Sequence, residues 1–246
     1  IRARSSRACS SLMSPAVKSA SIAICLPGMA SSVNRAPTSA TRLAPLVKVV
    51  RCRALGAEVV LWGDSYADCE SRALELAARD GLTFVHGFDD PDVIAGQGTL
   101  ALELLEQAPE VDTVMVPVGG GGLLAGLVAA LRTLAPGVQL IGVEPEHAPT
   151  LTRALAAGRV ERVETEPTLA DGLQVAQLGQ RCFDLIRGNV ERVELVSEAA
   201  IATAIVRLME SEKTVVEGAG AVGLAALLER PERYAGRRVA LLLSGG

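Results

Sequence analysis

The sequence predicts an α/β protein built on a doubly wound, mostly parallel sheet, and three observations carry that expectation. From Ala44 onward, short β-rich runs alternate with helical stretches of ten or more residues, the pattern of strands joined by crossover helices. The apolar share is 49%, mostly Ala, Val and Leu, which is enough for a sizeable core in 246 residues. At Val116–Leu124 a strand runs through four consecutive glycines directly into a helix.

Taken in order, Glu58–Trp62 follows the turn-like Leu55-Gly56-Ala57 and reads as a strand. Ser65 can cap a helix running to about Arg79, and Thr83–His86 is a second short strand. Asp89, Asp90 and Pro91 open a helix that continues to Gln107. Asp112–Val118 is a strand, Gly122–Leu134 a helix and Val138–Val143 the next strand. Helical patterns also cover His147–Ala156 and Gly179–Arg187. Arg192–Val196 is a strand, Ser197 caps a helix through Ser211, Gly218–Leu228 is an Ala-rich helix, and Arg237–Leu243 is the last strand.

Composition excludes several classes of function. A formal net charge of −4 argues against nucleic acid as a partner, because phosphate backbones call for a concentrated basic surface. The five cysteines, Cys9, Cys25, Cys52, Cys69 and Cys182, form no CxxC pair; they predict neither a zinc site nor a disulfide framework and fit a reducing, cytoplasmic setting. Val114–Leu131 is eighteen residues without a charge, but Pro117 and the four glycines break it, so no membrane span is predicted. Residues 1–57 carry nine basic side chains and no acid, and all 28 acids lie beyond them. Up to Arg42 that basic stretch is rich in Ser, Ala and Pro. Composition alone reads it as a transit peptide, with a basic nucleic-acid arm and a mistranslated stretch as the other readings.

The glycine run Gly119, Gly120, Gly121, Gly122 is the strongest chemical signal. Without Cβ atoms, successive backbone N–H groups can close around an anion, and the helix start adds a favourable dipole. A phosphate cup is therefore expected there, completed by the N–H of Leu123. Gly218-Ala219-Gly220-Ala221-Val222-Gly223 is a formal GxGxxG. The following strand ends in Leu-Leu-Ser-Gly-Gly without the acid that would hold a ribose, so close helix packing is the better reading. Ser244 sits at a strand's carboxyl end, where open sheets bind ligands, and Glu144 follows another strand. His86 and His147 lack an acid or nucleophile at recognisable spacing and read as structural.

Eight segments together resemble the fold-type II pyridoxal-phosphate (PLP) enzymes, specifically the serine/threonine dehydratase and serine racemase group. They are Ala44–Lys48, Leu55–Val59, Phe88–Thr99 (FDDPDVIAGQGT), Val116–Leu123, Gly142–Pro145, Leu169–Gly172, Val215–Gly220 and Leu243–Gly246, covering residues 44–246. The resemblance implies a tryptophan-synthase-β-like fold with an incomplete small domain: 1–43 unmatched, 44–88 a remnant of the small domain, 89–246 the large PLP-binding domain. It assigns the cofactor phosphate to Gly119, Gly120, Gly121, Gly122 and Leu123, Ser244 to the pyridine nitrogen, and places Glu217 near the ring. Some relatives hold Mg²⁺ or Ca²⁺ through residues matching Glu144 and the Ala148 carbonyl, but Thr150 stands where their aspartate belongs.

The family's Schiff-base lysine has no counterpart: counting back from Gly119 puts it before residue 1, and Lys18 has the wrong neighbours. The Ser-x-Gly-Asn-His loop should fall near residues 17–22, where Val17-Lys18-Ser19-Ala20-Ser21-Ile22 stands instead. A transit peptide would precede an intact domain, so these gaps favour a frameshifted or aberrant 1–43 in a chain truncated at both ends. The intact parent is expected to be a homo-oligomeric ammonia-lyase that converts L-threonine or L-serine to a 2-oxo acid and ammonia, this chain being inactive as written. Serine racemase is the nearest alternative, a non-catalytic PLP- or phosphate-binding remnant the next, and a NAD-binding module the last.

Overall fold

A computed structural model of the chain describes residues 22–25, 37–40, 46–64 and 66–245. Lys18, the stretch from Val17 to Ser21, and the Ser65 cap lie outside those residues. The chain divides into two units between Gly87 and Phe88.

The first unit holds a four-stranded parallel sheet in the order β3-β2-β1-β4. Its strands are β1 (Ile22–Cys25), β2 (Pro37–Ala40), β3 (Glu58–Leu61) and β4 (Thr83–Val85), with helices α1 (Leu46–Ala54) and α2 (Tyr66–Asp80). Cys69 and Ala73 of α2 are buried with Tyr66 and Phe84 packed on them, and the Cys69 thiol donates to the Trp62 carbonyl at 3.0 Å. The sequence assigns no strand before Glu58, yet β1 and β2 are the two inner strands of this sheet. Four-residue strands carry too little pattern to announce themselves; β2 is strand because Thr38 pairs with Val59 on one side and Ile24 on the other.

The second unit builds its sheet in the order β7-β6-β5-β8, every pair parallel. Strands β5 (Thr113–Pro117), β6 (Gln139–Pro145), β7 (Arg192–Val196) and β8 (Val239–Leu241) alternate with α3 (Pro91–Gln107), α4 (Gly122–Leu134), α5 (Thr150–Ala157), α6 (Gln180–Ile186), α7 (Glu198–Glu212) and α8 (Gly218–Glu229). All five residues of β5 are buried, as the inner strand of a covered parallel sheet requires. Met115, Ile141 and Val143 face a core shared with Ile201 of α7 and Val222 of α8. On the other face, a Cβ at Gly142 would touch Leu124 of α4 and Leu151 of α5, so helices cover both sides.

Helix starts follow local chemistry. Asp90 caps α3, its Oδ1 accepting from the N–H groups of Asp92 and Val93, with Pro91 in the first turn. Ser197 caps α7 by accepting from Ala200 N–H. The uncharged stretch from Val114 resolves into β5, a glycine turn and α4, and among the described residues no helix is long and apolar enough to cross a membrane.

Candidate functional site

β5 delivers the chain to Val118, whose N–H still pairs with the Val143 carbonyl at 2.9 Å. The next three residues leave the sheet, and Gly121 turns the chain into α4 with φ 96° and ψ −7°. That left-handed conformation disfavours any residue with a Cβ. The loop's carbonyls are engaged: Gly120 O accepts from Gly179 N–H at 3.1 Å and Gly121 O from Ala125 N–H at 2.9 Å. Its N–H groups are not. Among the described residues, the amides of Gly119, Gly120, Gly121, Gly122 and Leu123 have no hydrogen-bond acceptor, although Gly120, Gly121 and Gly122 are buried. A buried unpaired N–H costs about 1–3 kcal/mol, and buried amides are nearly always paired. Five in succession at the start of a thirteen-residue helix are donors of the kind that can meet a compact anion such as a phosphate monoester.

The rest of the glycine requirement is packing. A Cβ on Gly120 would fall on the Phe88 ring, and one on Gly121 would stand 3.0 Å from Leu178 Cδ1 and from Cys182 Cβ. Cys182 N–H in turn donates to Asp89 Oδ1 at 3.0 Å. Burial pushes the Cys182 thiol well above its ordinary range, and the Asp89 carboxylate pushes it further. Sequence reasoning gave Phe88, Asp89, Leu178 and Cys182 no role at this site. The FDDP run marks Phe88 and Asp89 but carries no periodicity or spacing that points across 93 residues to Cys182 and α6.

Ser244 and Glu217 gather at the same end of the sheet. The β5–β8 register pairs Met115 with Leu241, and continuing it puts Ser244 level with Val118. Glu217 opens α8: its N–H donates to Gly245 O at 3.1 Å, and its carboxylate lies against Gly245 and 3.9 Å from where a Cβ on Gly172 would stand.

Glu144 and Ala148 are already occupied. The Glu144 carboxylate, fully buried, accepts from Leu151 N–H at 2.6 Å and from Thr152 N–H and Oγ1 at 3.0 and 2.8 Å, so both oxygens anchor the start of α5. Burial pushes its pKa up to about 7, opposed by those hydrogen bonds. The Ala148 carbonyl takes Thr150 N–H at 2.9 Å, and Thr150 Oγ1 donates to Val175 O at 2.6 Å. These residues do not fit a divalent cation: three hydrogen bonds already engage the Glu144 carboxylate, the one anionic donor among them, and Thr150 cannot be the second anionic ligand. Among the described residues no group of three or more His, Cys, Asp or Glu could hold a metal ion.

Both histidines find an acid that their spacing hides. In the first unit His86 Nε2 lies 3.1 Å from Glu70 Oε1. His147 Nδ1 meets the Pro167 carbonyl at 2.6 Å, and that contact, then Glu198 and Glu166, raises its pKa. A second buried acid, Glu194 of β7, behaves unlike Glu144. Burial pushes its carboxyl up, but hydrogen bonds from Arg233, Tyr234 and Arg192 outweigh that and hold it below the usual carboxylate range.

Comparison with known proteins places this architecture. L-threonine ammonia-lyase of Thermotoga maritima is 46% identical over 205 residues, 83% of this chain and 51% of that protein. The chain spans about half the length of that relative and of a second ammonia-lyase, from Geobacter sulfurreducens. Among solved structures, the threonine deaminase of T.th. superposes with a TM-score of 0.83 at 40% identity, over 93% of this chain and 78% of that one. Maize serine racemase superposes at 0.86 with 28% identity, over 93% and 74%. The pyridoxal-phosphate dependent enzyme family model matches residues 23–245, reaching back past the Ala44 limit of the sequence resemblance to take in β1 and β2. With its glycine cup between β5 and α4, the chain belongs to the pyridoxal-phosphate dependent enzyme family.

Proposed function

We propose that this chain is the greater part of the catalytic region of a PLP-dependent ammonia-lyase acting on L-threonine or L-serine. The observation that carries the reading is the run of five unpaired amides at Gly119–Leu123, a feature suited to hold the cofactor's phosphate. Ser244 would take the pyridine nitrogen through a neutral hydrogen bond, and Glu217 would stand beside the ring. When bound, PLP supplies an electron sink for the charge left at a substrate Cα. The chain's own contribution is to fix that cofactor: backbone donors, already oriented by a rigid strand and helix, bind a phosphate without reorganising. The 46% identity to an L-threonine ammonia-lyase, against 28–31% to serine racemases, supports elimination over racemisation.

The remaining parts of the reading follow from composition and family. The five scattered cysteines, with no CxxC pair in the sequence, support a reducing, cytoplasmic setting. The partner is a small amino acid, and the assembled enzyme is a homo-oligomer; sedimentation at two concentrations tests that. Lys18, Lys48 and Lys213 are the chain's three lysines, and none occupies the family's Schiff-base position. The 246-residue chain by itself therefore turns over no threonine, and borohydride fixes no PLP on it. A protein that joins this chain to a segment carrying the family's Schiff-base lysine releases 2-oxobutyrate from L-threonine. Racemised serine without oxo acid would replace lyase by racemase, and threonine turnover by the chain alone would overturn the lysine argument.

A further inference from the structure

We propose that Asp89 is a positioning residue for the phosphate cup, acting through α6 and not on the ligand. The inference rests on the reading of Gly119–Leu123 as a phosphate site and identifies what keeps that site in shape. Asp89 Oδ1 accepts from Cys182 N–H at 3.0 Å, in the first turn of α6. A Cβ on Gly179 would overlap the same carboxylate, so α6 begins in direct contact with it. From this helix end two arms reach the loop. Gly179 N–H holds the Gly120 carbonyl at 3.1 Å, and Leu178 and Cys182 form the wall 3.0 Å from a Cβ position on Gly121. Phe88, one residue before Asp89, closes the other side with its ring under Gly120, and its carbonyl accepts from Cys182 Sγ at 3.4 Å.

Phe88-Asp89 and the start of α6 thus grip the loop by a carbonyl and by its apolar side, which leaves the N–H groups of Gly119–Leu123 turned away from protein acceptors. A seven-residue helix cannot hold itself, and its first amides need an acceptor from outside. Asp89 provides one from 93 residues away.

The sign of the effect separates this role from a purely electrostatic one. Asp89 is an acid beside an anion site, so if its charge were what mattered, removing it would tighten phosphate binding. Positioning requires the opposite. The test measures amide hydrogen exchange at Gly119–Leu123 in the full chain, titrated with inorganic phosphate. Asp89→Ala weakens phosphate about tenfold or more, whereas Asp89→Asn, which keeps an acceptor oxygen without the charge, stays within about threefold of the unaltered chain. Gly179→Ala, whose Cβ displaces the carboxylate, reproduces the Asp89→Ala loss. Exchange across Thr113–Pro117 reports folding, and if Asp89→Ala fails that control, Gly179→Ala and Asp89→Asn decide the matter. Unchanged affinity in Gly179→Ala, or tighter binding in Asp89→Asn, overturns the positioning role and leaves the cup standing. No phosphate-dependent protection in the unaltered chain overturns the cup itself.

Discussion

Two helices of the second unit begin among glycines and use them for opposite ends. At the start of α4 the glycines free backbone donors: Gly119–Leu123 offer five N–H groups with no acceptor among the described residues. At the start of α8 the open run is shorter: Gly220 and Ala221 N–H both bond Glu217 O, at 3.0 and 3.1 Å, which leaves two amides, Gly218 and Ala219, without an acceptor among the described residues. There glycine provides space. A Cβ on Gly218 would overlap the Leu169 carbonyl, and one on Gly220 would meet Val216 Cγ1 at 2.8 Å. One composition gives a longer run of open donors in the first case, proposed above as the phosphate site, and a packing joint in the second. What separates them is how many amides stay open and what packs on the glycines, and a glycine spacing such as GxGxxG does not encode that.

The comparison breaks most sharply at Gly218. Gly218→Ala forces α8 away from the Leu169–Ala170 backbone, which cannot yield as a flexible side chain would, and should cost about 3 kcal/mol of stability. Urea denaturation measures the loss, while phosphate protection at Gly119–Leu123 in the folded fraction stays the same. A matching drop in phosphate affinity would mean that α8 also shapes the anion site. Gly121→Asp is the reciprocal change. It places a Cβ at φ 96° and a negative charge at the cup, so phosphate affinity should fall about 100-fold, or about 2.7 kcal/mol. Hydrogen exchange with and without phosphate reads this directly, and retained protection would mean that the start of α4 does not bind the anion.

Gly126 belongs to both classes. It lies on α4, one turn behind the cup, where a Cβ would stand 2.5 Å from Ile94 O and 2.6 Å from Gly98 N of α3. Gly126→Ala should therefore destabilise by about 2 kcal/mol. Because it shifts the helix that carries the donors, it should also weaken phosphate a few-fold, as Gly218→Ala should not. Stability loss with unaltered phosphate binding would show that the cup is fixed from the α6 side alone.

How much of this was legible depended on whether the cause was local. The cap of α3 is written in Asp90-Pro91, the start of α7 in Ser197, and the β5–glycine–α4 turn in nine consecutive residues. Those elements appear where the sequence puts them, and a phosphate cup could be inferred from residue types alone. What was not legible is set by contacts distant in the chain. Strands β1 and β2 owe their state to neighbours in a sheet, and the Asp89–Cys182 bond spans 93 residues. Glu144 shows the converse hazard. The family resemblance implied a metal ligand there, but which groups would occupy its oxygens could be known only once α5 was folded against it.

The smallest effect lies inside α8 and tests whether its glycines are all needed. Gly223 is buried like Gly218, yet a Cβ there would meet Leu241 Cδ2 at 3.6 Å and Met115 Cβ at 3.7 Å, which is ordinary contact and no overlap. Alanine is a better helix former than glycine, and its methyl would touch β5 and β8 without moving them. Gly223→Ala should therefore stabilise the protein by about 0.5–1 kcal/mol, with phosphate protection unchanged. Thermal and urea unfolding would show it as a small rise in midpoint at constant m-value. Destabilisation would mean that α8 sits tighter on the sheet than these contacts indicate, and that the third glycine of the GxGxxG pattern, like the first, is held by sterics. A gain confines the packing requirement to the first turn of α8, the turn that brings Glu217 over Gly245.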